Sequence, residues 1–295
     1  MLDVTRLRVL AAVAKHGSVT AAARALSYAQ PSISHHLARL ETETGSKLVQ
    51  RVGRGIRLTD AGRMLAERAE EILGRLDAAE AELAAHTGLR AGRVRLAAFP
   101  SALGTFVPRA AAAFTAAHPD VELRFTEAEP PDAARLLRSG EVDVALLFTY
   151  PDTSPADDGL RRTPLLTESI YLVTPTSLPG DTLADHAMRR WITGCERCRK
   201  HLVRSCAAAG FTPDIAFTTD DYVAVQALVA AGLGVTTLPA LALAAQRNAS
   251  VRLVRLPDQE RLINAAVHGE APDPPATVAL LEHLTQAAAT TLPPH

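Results

Sequence analysis

The chain has 295 residues, 47 % of them hydrophobic, and a formal net charge of −1. This length gives room for two or three domains with their own hydrophobic cores. The first 60 residues hold nine Lys or Arg against four Asp or Glu, whereas the rest hold 22 against 28. A basic first module suits a nucleic-acid contact confined to the N-terminus. No signal peptide or membrane-spanning apolar run is visible, so we expect a cytoplasmic protein with reduced cysteines.

The first helices form a compact group. A predicted helix over residues 2–15 precedes two short helices that are joined by a tight turn at residues 27–29. Ser18 can cap the first short helix by accepting a free backbone N–H. Pro31 lies in the first turn of the second, where no intrahelical donor is lost. Two helices and a short turn form either an ordinary helical hairpin or a helix-turn-helix.

The two faces of the second short helix favour the helix-turn-helix. Ile33, Leu37 and Leu40 recur at i, i+4 and i+7 and form an apolar face. The opposite face has no large apolar residue, and its small polar, imidazole and guanidinium groups can reach base edges or phosphates in a major groove. The predicted DNA contacts of this helix are Gln30, Pro31, Ser32, Ser34, His35 and Arg39.

A basic ribbon follows. Residues 49–52 and 56–58 read as two strands, and the glycines at 53 and 55 favour a tight turn between them. Such a ribbon behind a helix-turn-helix is typical of a wing. We expect Arg51 and Arg54 to contact phosphates or enter the minor groove.

A long helix is predicted from a cap at Thr59 to about residue 86. Apolar residues recur along it at alternating spacings of four and three, which is a heptad seam. The helix could pack on its own wing domain, but a helix of ~28 residues is ~40 Å long and exceeds what a 60-residue module can cover. We therefore expect dimerisation through Leu65, Ala69, Ile72, Leu76 and Leu83. Residues 87–92 form a hinge.

From residue 93 onward, strands and helices alternate. The pattern predicts an α/β fold with a largely parallel sheet. The predicted strands are 94–99, 121–126, 142–148, 165–175, 190–192, 215–218, 251–256 and 263–268. The predicted helices are 108–117, 132–139, 200–209, 222–231 and 275–290.

Loops at strand ends are candidate ligand contacts. Open α/β sheets place ligands beyond the carboxyl ends of their strands, and helix N-termini there attract anions. A satisfied cap or loop polar group is the alternative for any one residue. The predicted contacts are Pro100, Ser101, Ala102, Thr149, Gly194, Cys195, Cys198, Thr219 and Asp220.

No catalytic motif is visible. The chain has no Gly-x-Ser-x-Gly, no phosphate loop and no His-Glu-x-x-His. We therefore expect no enzyme, and we assign no catalytic residue, no metal site and no cofactor.

All three cysteines fall within twelve residues. Cys195 and Cys198 form Cys-x-x-Cys, where Arg197, Arg199 and Lys200 would favour thiolate. Three interpretations stay open: the pair lines the ligand cleft, forms a disulfide switch, or provides half of a zinc site, with His201 as a further ligand. Zinc is the weaker case, because a single helix cannot fold Cys206 back onto Cys198.

The first 90 residues resemble the winged helix-turn-helix of LysR-type transcriptional regulators. The resemblance rests on Ser18-x-x-x-Ala22-Ala23-x-x-Leu26, Gln30-Pro31-Ser32-Ile33-Ser34-x-x-Leu37-x-x-Leu40-Glu41 and Leu58-Thr59-x-Ala61-Gly62. One departure is Val49, where the family usually has phenylalanine. Later segments also resemble the family, namely Leu137-x-x-Gly140-x-Val142-Asp143 and Gly232-Leu233-Gly234-Val235-x-x-Leu238-Pro239.

The resemblance implies a DNA-binding regulator controlled by a small-molecule effector. It implies a DNA-binding domain at 1–60, a linker helix at 59–88 and an effector-binding domain at 92–295, like a bacterial substrate-binding protein. Lobe one would comprise 92–162 and 268–295, lobe two would comprise 163–267, and the effector would lie between them. The implied partners are double-stranded DNA, the effector and a second copy of the chain, with a dimer of dimers as the assembly. The same scaffold acting as a redox or metal sensor through Cys195 and Cys198 is the alternative.

Overall fold

The computed structural model describes residues 2–52, 55–86, 92–151 and 159–291. They form two compact units, Met1–Leu89 with Arg135–Val142, and Arg90–Ala134 with Asp143–His295. We call these the N-terminal unit and the C-terminal unit. No helix in the described part of the chain is both long and apolar enough for a membrane crossing.

The N-terminal unit is a winged helix-turn-helix followed by a long helix. Its elements are α1 (Val4–His16), α2 (Val19–Ala25), α3 (Gln30–Thr44), β1 (Val49–Val52), β2 (Gly55–Leu58) and α4 (Asp60–His86). The Ser18 hydroxyl accepts a hydrogen bond from the Ala21 amide at 3.0 Å, and Thr59 Oγ1 accepts one from the Gly62 amide at 3.0 Å. Both predicted caps are therefore confirmed.

The apolar face of α3 closes the core of this unit. Ile33, Leu37 and Leu40 are buried there with residues of α1 and α2. The seam prediction for α4 needs a correction, because Ala69 is fully buried in the same core and Leu65 packs against it. The first turns of the predicted seam are therefore covered by the unit's own helices, and the core also takes Ala66 and Leu73, which the prediction did not include.

Glu41 fixes the ribbon to α3. Its carboxylate accepts hydrogen bonds from the amides of Leu48 and Val49 at 2.9 and 3.2 Å and pairs with Lys47 at 2.7 Å. Burial alone would raise the pKa of Glu41, but these donors outweigh it and hold that pKa below its usual value. The ribbon is therefore held at a set angle to α3.

The C-terminal unit is α/β. Its strands are β3 (Gly92–Ala98), β4 (Val121–Glu127), β5 (Val144–Thr149), β6 (Leu160–Pro175), β7 (Arg190–Thr193), β8 (Asp214–Thr218), β9 (Thr236–Pro239) and β10 (Val251–His268). Its helices are α5 (Pro100–Leu103), α6 (Val107–Ala117), the first part of α7 (Pro130–Arg138, with Arg135 onward in the N-terminal unit), α8 (Glu196–Ala208), α9 (Tyr222–Ala230), α10 (Ala240–Ala245) and α11 (Pro275–Ala289). Six strands form one sheet in the order β4-β3-β5-β10-β6-β9, and β7 pairs with β8.

The prediction of a largely parallel sheet is wrong, because the six-stranded sheet is mixed. β3 pairs in parallel with β4 and β5, whereas β10 pairs antiparallel with β5 and β6, and β6 with β9. The two predicted strands at 251–256 and 263–268 are one strand, β10, with a register shift between Arg255 and Glu260. Strand direction depends on distant partners, so the local alternation of residues does not determine it.

Candidate DNA interface and ligand cavity

The polar face of α3 is free. All six predicted contact residues of α3 are exposed. Within the part of the chain that the structure describes, their side chains make no hydrogen bond or ion pair to the protein, so the face can bind an external partner. The neighbouring His36 stacks on Tyr28 with ring centroids 5.9 Å apart, which ties the turn to the helix.

The other predicted interface residues are only partly described. The backbone of Arg51 lies on β1, directly opposite Ile56 of β2, whereas Arg54 lies outside the described residues. On α4, Ile72 and Leu76 are 37 % and 40 % exposed, an unusual level for large apolar side chains in a seam. Only the helical backbone is described at Leu83. The open part of the seam therefore begins at Ile72.

A cavity of about 60 Å³ lies in the C-terminal unit. Seven of the nine predicted ligand contacts line it, namely Pro100, Ser101, Gly194, Cys195, Cys198, Thr219 and Asp220. They come from three separate strand ends, as the edge rule for α/β sheets requires. The lining residues that the sequence reasoning missed include Glu129, Tyr222, Thr236, Thr237 and Arg261.

Two predicted contacts are not on the cavity wall. Ala102 is fully buried in the hydrophobic core, because α5 turns Pro100 and Ser101 toward the cavity and Ala102 away from it. Thr149 belongs to β5 and pairs with Leu262 of β10. Ala102 therefore belongs to the correct segment but is the wrong side chain, whereas no described residue of β5 or of the segment after it lines the cavity.

A buried ion pair supports the cavity. Arg261 of β10 lies opposite Glu168 of β6 and donates to its carboxylate at 2.6 Å. The same guanidinium donates to Ser101 Oγ at 2.9 Å and lies 4.2 Å above the Phe148 ring. The second Glu168 oxygen accepts the Leu241 amide at 2.6 Å. The Ser101 hydroxyl is therefore already engaged by the protein.

The two cavity thiols are hydrogen-bonded to each other. Cys195 is the N-cap of α8 and donates to Cys198 Sγ, with 3.2 Å between the sulphurs. The Tyr150 hydroxyl donates to the same Cys198 sulphur at 3.6 Å. Accepting the hydrogen bond from Cys195 lowers the pKa of Cys198. Donating that bond raises the pKa of Cys195, and burial raises it further. Of the two thiols, Cys198 therefore has the lower pKa.

The predicted roles of the residues around the thiols need correction. Arg197 donates to the Phe148 carbonyl at 3.2 Å, and Lys200 pairs with Glu196 at 2.7 Å, so neither cation is directed at the thiols. His201 is buried and stacks on Tyr150 at 3.8 Å. Cys206 is fully buried in the core, as expected, and burial raises its pKa to about 11.

Two carboxylates complete the cavity wall. Glu129, Cys195 and Asp220 each offer one potential metal-ligand atom, and these three atoms lie within 4.8 Å of one another. Burial, the neighbouring Cys195 and Asp220 raise the pKa of Glu129 to about 8. Its Oε2 atom is buried and has no hydrogen-bond partner among the described residues. This end of the cavity therefore brings together two carboxyl groups and a thiol.

A winged helix-turn-helix joined to an α/β unit with a ligand cavity defines a ligand-responsive DNA-binding regulator. Comparison with known proteins agrees with this class. Residues 4–63 match the family described as bacterial regulatory helix-turn-helix protein, lysR family, and residues 87–289 match the LysR substrate binding domain. The chain therefore belongs to the LysR family of transcriptional regulators, which are not enzymes.

Individual relatives cover nearly the whole chain. The probable HTH-type transcriptional regulator LrrA from Synechococcus elongatus is 31 % identical over 293 residues, which are 97 % of this chain and 98 % of LrrA. The crystal structure of CbnR, a LysR family transcriptional regulator, matches with a TM-score of 0.65 at 24 % identity, over 97 % of this chain and 99 % of CbnR. Full-length CbnR complexed with its target DNA matches with a TM-score of 0.63 at 24 % identity, over 97 % of this chain and 100 % of CbnR.

Proposed function

We propose that this regulator reads its DNA site with the polar face of α3 and that a ligand held in the cavity controls its DNA binding. The proposal that α3 reads the DNA is supported by the side chains on its polar face, which are exposed and make no hydrogen bond or ion pair within the described chain. A helix with free polar groups along one face fits a major groove, where each base pair presents a distinct donor and acceptor pattern. A regulator of this kind acts on the chromosome, so the proposal places it in the cytoplasm.

The proposed contacts divide into two classes. Gln30, Ser34 and His35 can hydrogen-bond base edges, while Arg39 and the ribbon residues Arg51 and Arg54 contact phosphates. Base contacts determine which sequence is bound, whereas phosphate contacts position the protein and make the affinity depend on salt. Pro31 and Ser32 bring the start of α3 close to the DNA.

The test begins with DNA selected from a random pool by the wild-type protein. Affinity is then measured by fluorescence anisotropy at several salt concentrations. We expect Arg39→Ala to weaken binding to all sequences and to reduce the slope of log affinity against log salt by about one. We expect His35→Ala to change the preferred base at one position, at roughly 1–3 kcal/mol.

Arg124→Ala is the matched control, because Arg124 is an exposed arginine on β4, paired with Glu122. It should leave both affinity and salt slope unchanged. Equal effects of Arg39→Ala and Arg124→Ala would mean that α3 is not the interface.

We further propose that α4 joins two copies of the chain. Ile72 and Leu76 remain exposed after the start of the seam is covered, and a partner helix would bury them. Ile72→Asp places a charge in that seam and should reduce the mass measured by light scattering, whereas Glu67→Lys changes an exposed residue off the seam and should not. An unchanged mass for Ile72→Asp would exclude α4 as the interface.

The proposed control site is the cavity. Its walls include α5, the N-terminus of α8 and the loop before α9, together with Arg261 of strand β10. A ligand in the cavity would therefore contact elements that are far apart in the chain. A ligand that binds one arrangement of these elements better than another shifts the population toward it. The domain limits 1–60, 59–88 and 92–295, and the two lobes within the last, are part of this proposal.

A further inference from the structure

Four metal-binding side chains meet in the cavity although they are far apart in the sequence. Glu129 follows β4, Cys195 and Cys198 begin α8, and Asp220 lies between β8 and α9. Donor atoms of Glu129, Cys195 and Asp220 lie within 4.8 Å of one another, and Cys198 Sγ lies 3.2 Å from Cys195 Sγ. The sequence makes zinc the weaker interpretation because a single helix cannot fold Cys206 back onto Cys198, and these two carboxylates supply ligands in its place.

The spacing of the four groups suits tetrahedral coordination. A zinc–sulphur bond of about 2.3 Å places two sulphurs of a tetrahedral site about 3.8 Å apart, and zinc–oxygen bonds of about 2.0 Å place two oxygens about 3.3 Å apart. The 3.2 Å between the two sulphurs and the span of 4.8 Å across the donor atoms of Glu129, Cys195 and Asp220 are of this order. Gly194 leaves the space open, because a Cβ at that position would lie 3.3 Å from Asp220 Oδ1 and 3.9 Å from Cys198 Cβ.

The charges in the cavity call for a cation. Its charged lining residues in the described chain are Glu129, Asp220 and Arg261. Arg261 is neutralised by Glu168, so the Asp220 carboxylate has no matching positive charge among these residues, and the Glu129 carboxyl, with its raised pKa, holds a proton that a cation can replace. The buried Glu129 Oε2 atom has no hydrogen-bond partner among the described residues, and such an atom is costly unless it gains a proton or a cation.

We propose that the cavity binds a thiophilic divalent cation of the zinc class through Cys195, Cys198, Glu129 and Asp220, and that this cation is the effector. The proposal rests on the proposed function of the cavity. Sulphur ligands select zinc and similar metals, whereas magnesium and calcium prefer oxygen ligands alone. On binding, the thiols form metal–sulphur bonds and release their protons to solvent.

The test uses the full chain, freed of metal with a chelator and kept under reductant. Zinc chloride is titrated in competition with a chromogenic chelator. We expect the wild type to bind one zinc ion per chain, and cobalt(II) to give a thiolate-to-metal charge-transfer band. Cys195→Ser/Cys198→Ser should abolish the band and weaken binding by about 100-fold or more, and Glu129→Gln should weaken it by about 10-fold.

Cys206→Ala is the matched control, because Cys206 is a buried thiol outside the cavity. It should bind zinc and cobalt like the wild type. Equal zinc affinity in the wild type and the double variant would overturn the site.

DNA affinity separates this proposal from the proposed function. We expect zinc to change the DNA affinity of the wild type and of Cys206→Ala, but not that of the double variant. Metal-free protein that binds DNA through α3 but does not respond to zinc would overturn the effector role alone. A change in DNA affinity with mild peroxide and none with zinc would instead identify the thiols as a redox pair and overturn the proposal.

Discussion

The α3 face and the cavity differ in how the chain builds them. The α3 face comes from ten consecutive residues of one helix, and its side chains are exposed and make no hydrogen bond or ion pair within the described chain. The cavity takes side chains from at least four elements between Phe99 and Arg261, and several of them are bonded to each other. A surface that binds DNA does not need to stabilise the fold, whereas the residues that line a cavity also hold the surrounding structure together. Substitutions on the face should therefore change binding alone, while substitutions that break a bond between cavity residues without replacing it should also change stability.

The largest expected effect is on the buried ion pair. Arg261→Leu leaves the Glu168 carboxylate buried without its counter-ion, and breaking such a pair costs about 3–5 kcal/mol. Trp191 is the only tryptophan of the chain and is fully buried in the C-terminal unit. Urea unfolding followed by its fluorescence therefore reports this unit directly.

The double variant tests whether the cost comes from the unpaired charge. Arg261→Leu/Glu168→Leu removes both charges and should be more stable than Arg261→Leu alone. The double variant should not regain the full stability of the wild type, because the Leu241 amide loses its acceptor on Glu168. A single variant that unfolds at the wild-type urea concentration would show that the pair does not support the cavity.

The next largest effect is the difference in stability between variants on the buried face and on the exposed face of α3. Leu37→Ala removes a buried side chain and should destabilise the N-terminal unit by about 2–5 kcal/mol. Arg39→Ala, two residues on, removes an exposed one and should cost less than about 0.5 kcal/mol. Hydrogen exchange of α3 amides measures both, and a large loss of protection in Arg39→Ala would show that the polar face also stabilises the fold.

Most of the N-terminal unit could be predicted from the sequence. Its elements follow local rules, such as the cap at Ser18, the proline in the first turn of α3 and the spacing of Ile33, Leu37 and Leu40. The exception is α4, where periodicity revealed an apolar stripe at Leu65 and Ala69 but not what covers it. A helical period identifies a face that needs a partner, and the partner's identity depends on tertiary packing.

The C-terminal unit could be predicted only in part. Strand-end loops pointed to the correct region of the cavity, because that rule depends on topology alone. The pairing of Arg261 with Glu168 could not be predicted, because it depends on the register of two strands. The two residues are 93 positions apart in the sequence. Glu168 inside the predicted strand 165–175 was the available signal, whereas Arg261 falls between the predicted strands 251–256 and 263–268. Glu129 gave no local signal, because its proximity to Cys195 exists only in the folded unit.

The smallest expected effect compares the N-caps of α2 and α8. The Ser18 hydroxyl caps α2, so Ser18→Ala should cost about 1 kcal/mol, seen as faster hydrogen exchange in that helix. The N-cap residue of α8, Cys195, makes no side-chain cap bond, because its thiol donates to Cys198 across the cavity wall. In metal-free protein, Cys195→Ser keeps the size of the side chain and offers α8 a hydroxyl cap. We therefore expect no loss of stability by Trp191 fluorescence. A loss as large as that of Ser18→Ala would show that the thiol pair holds α8 in place, and that the helix start serves the fold more than the cavity.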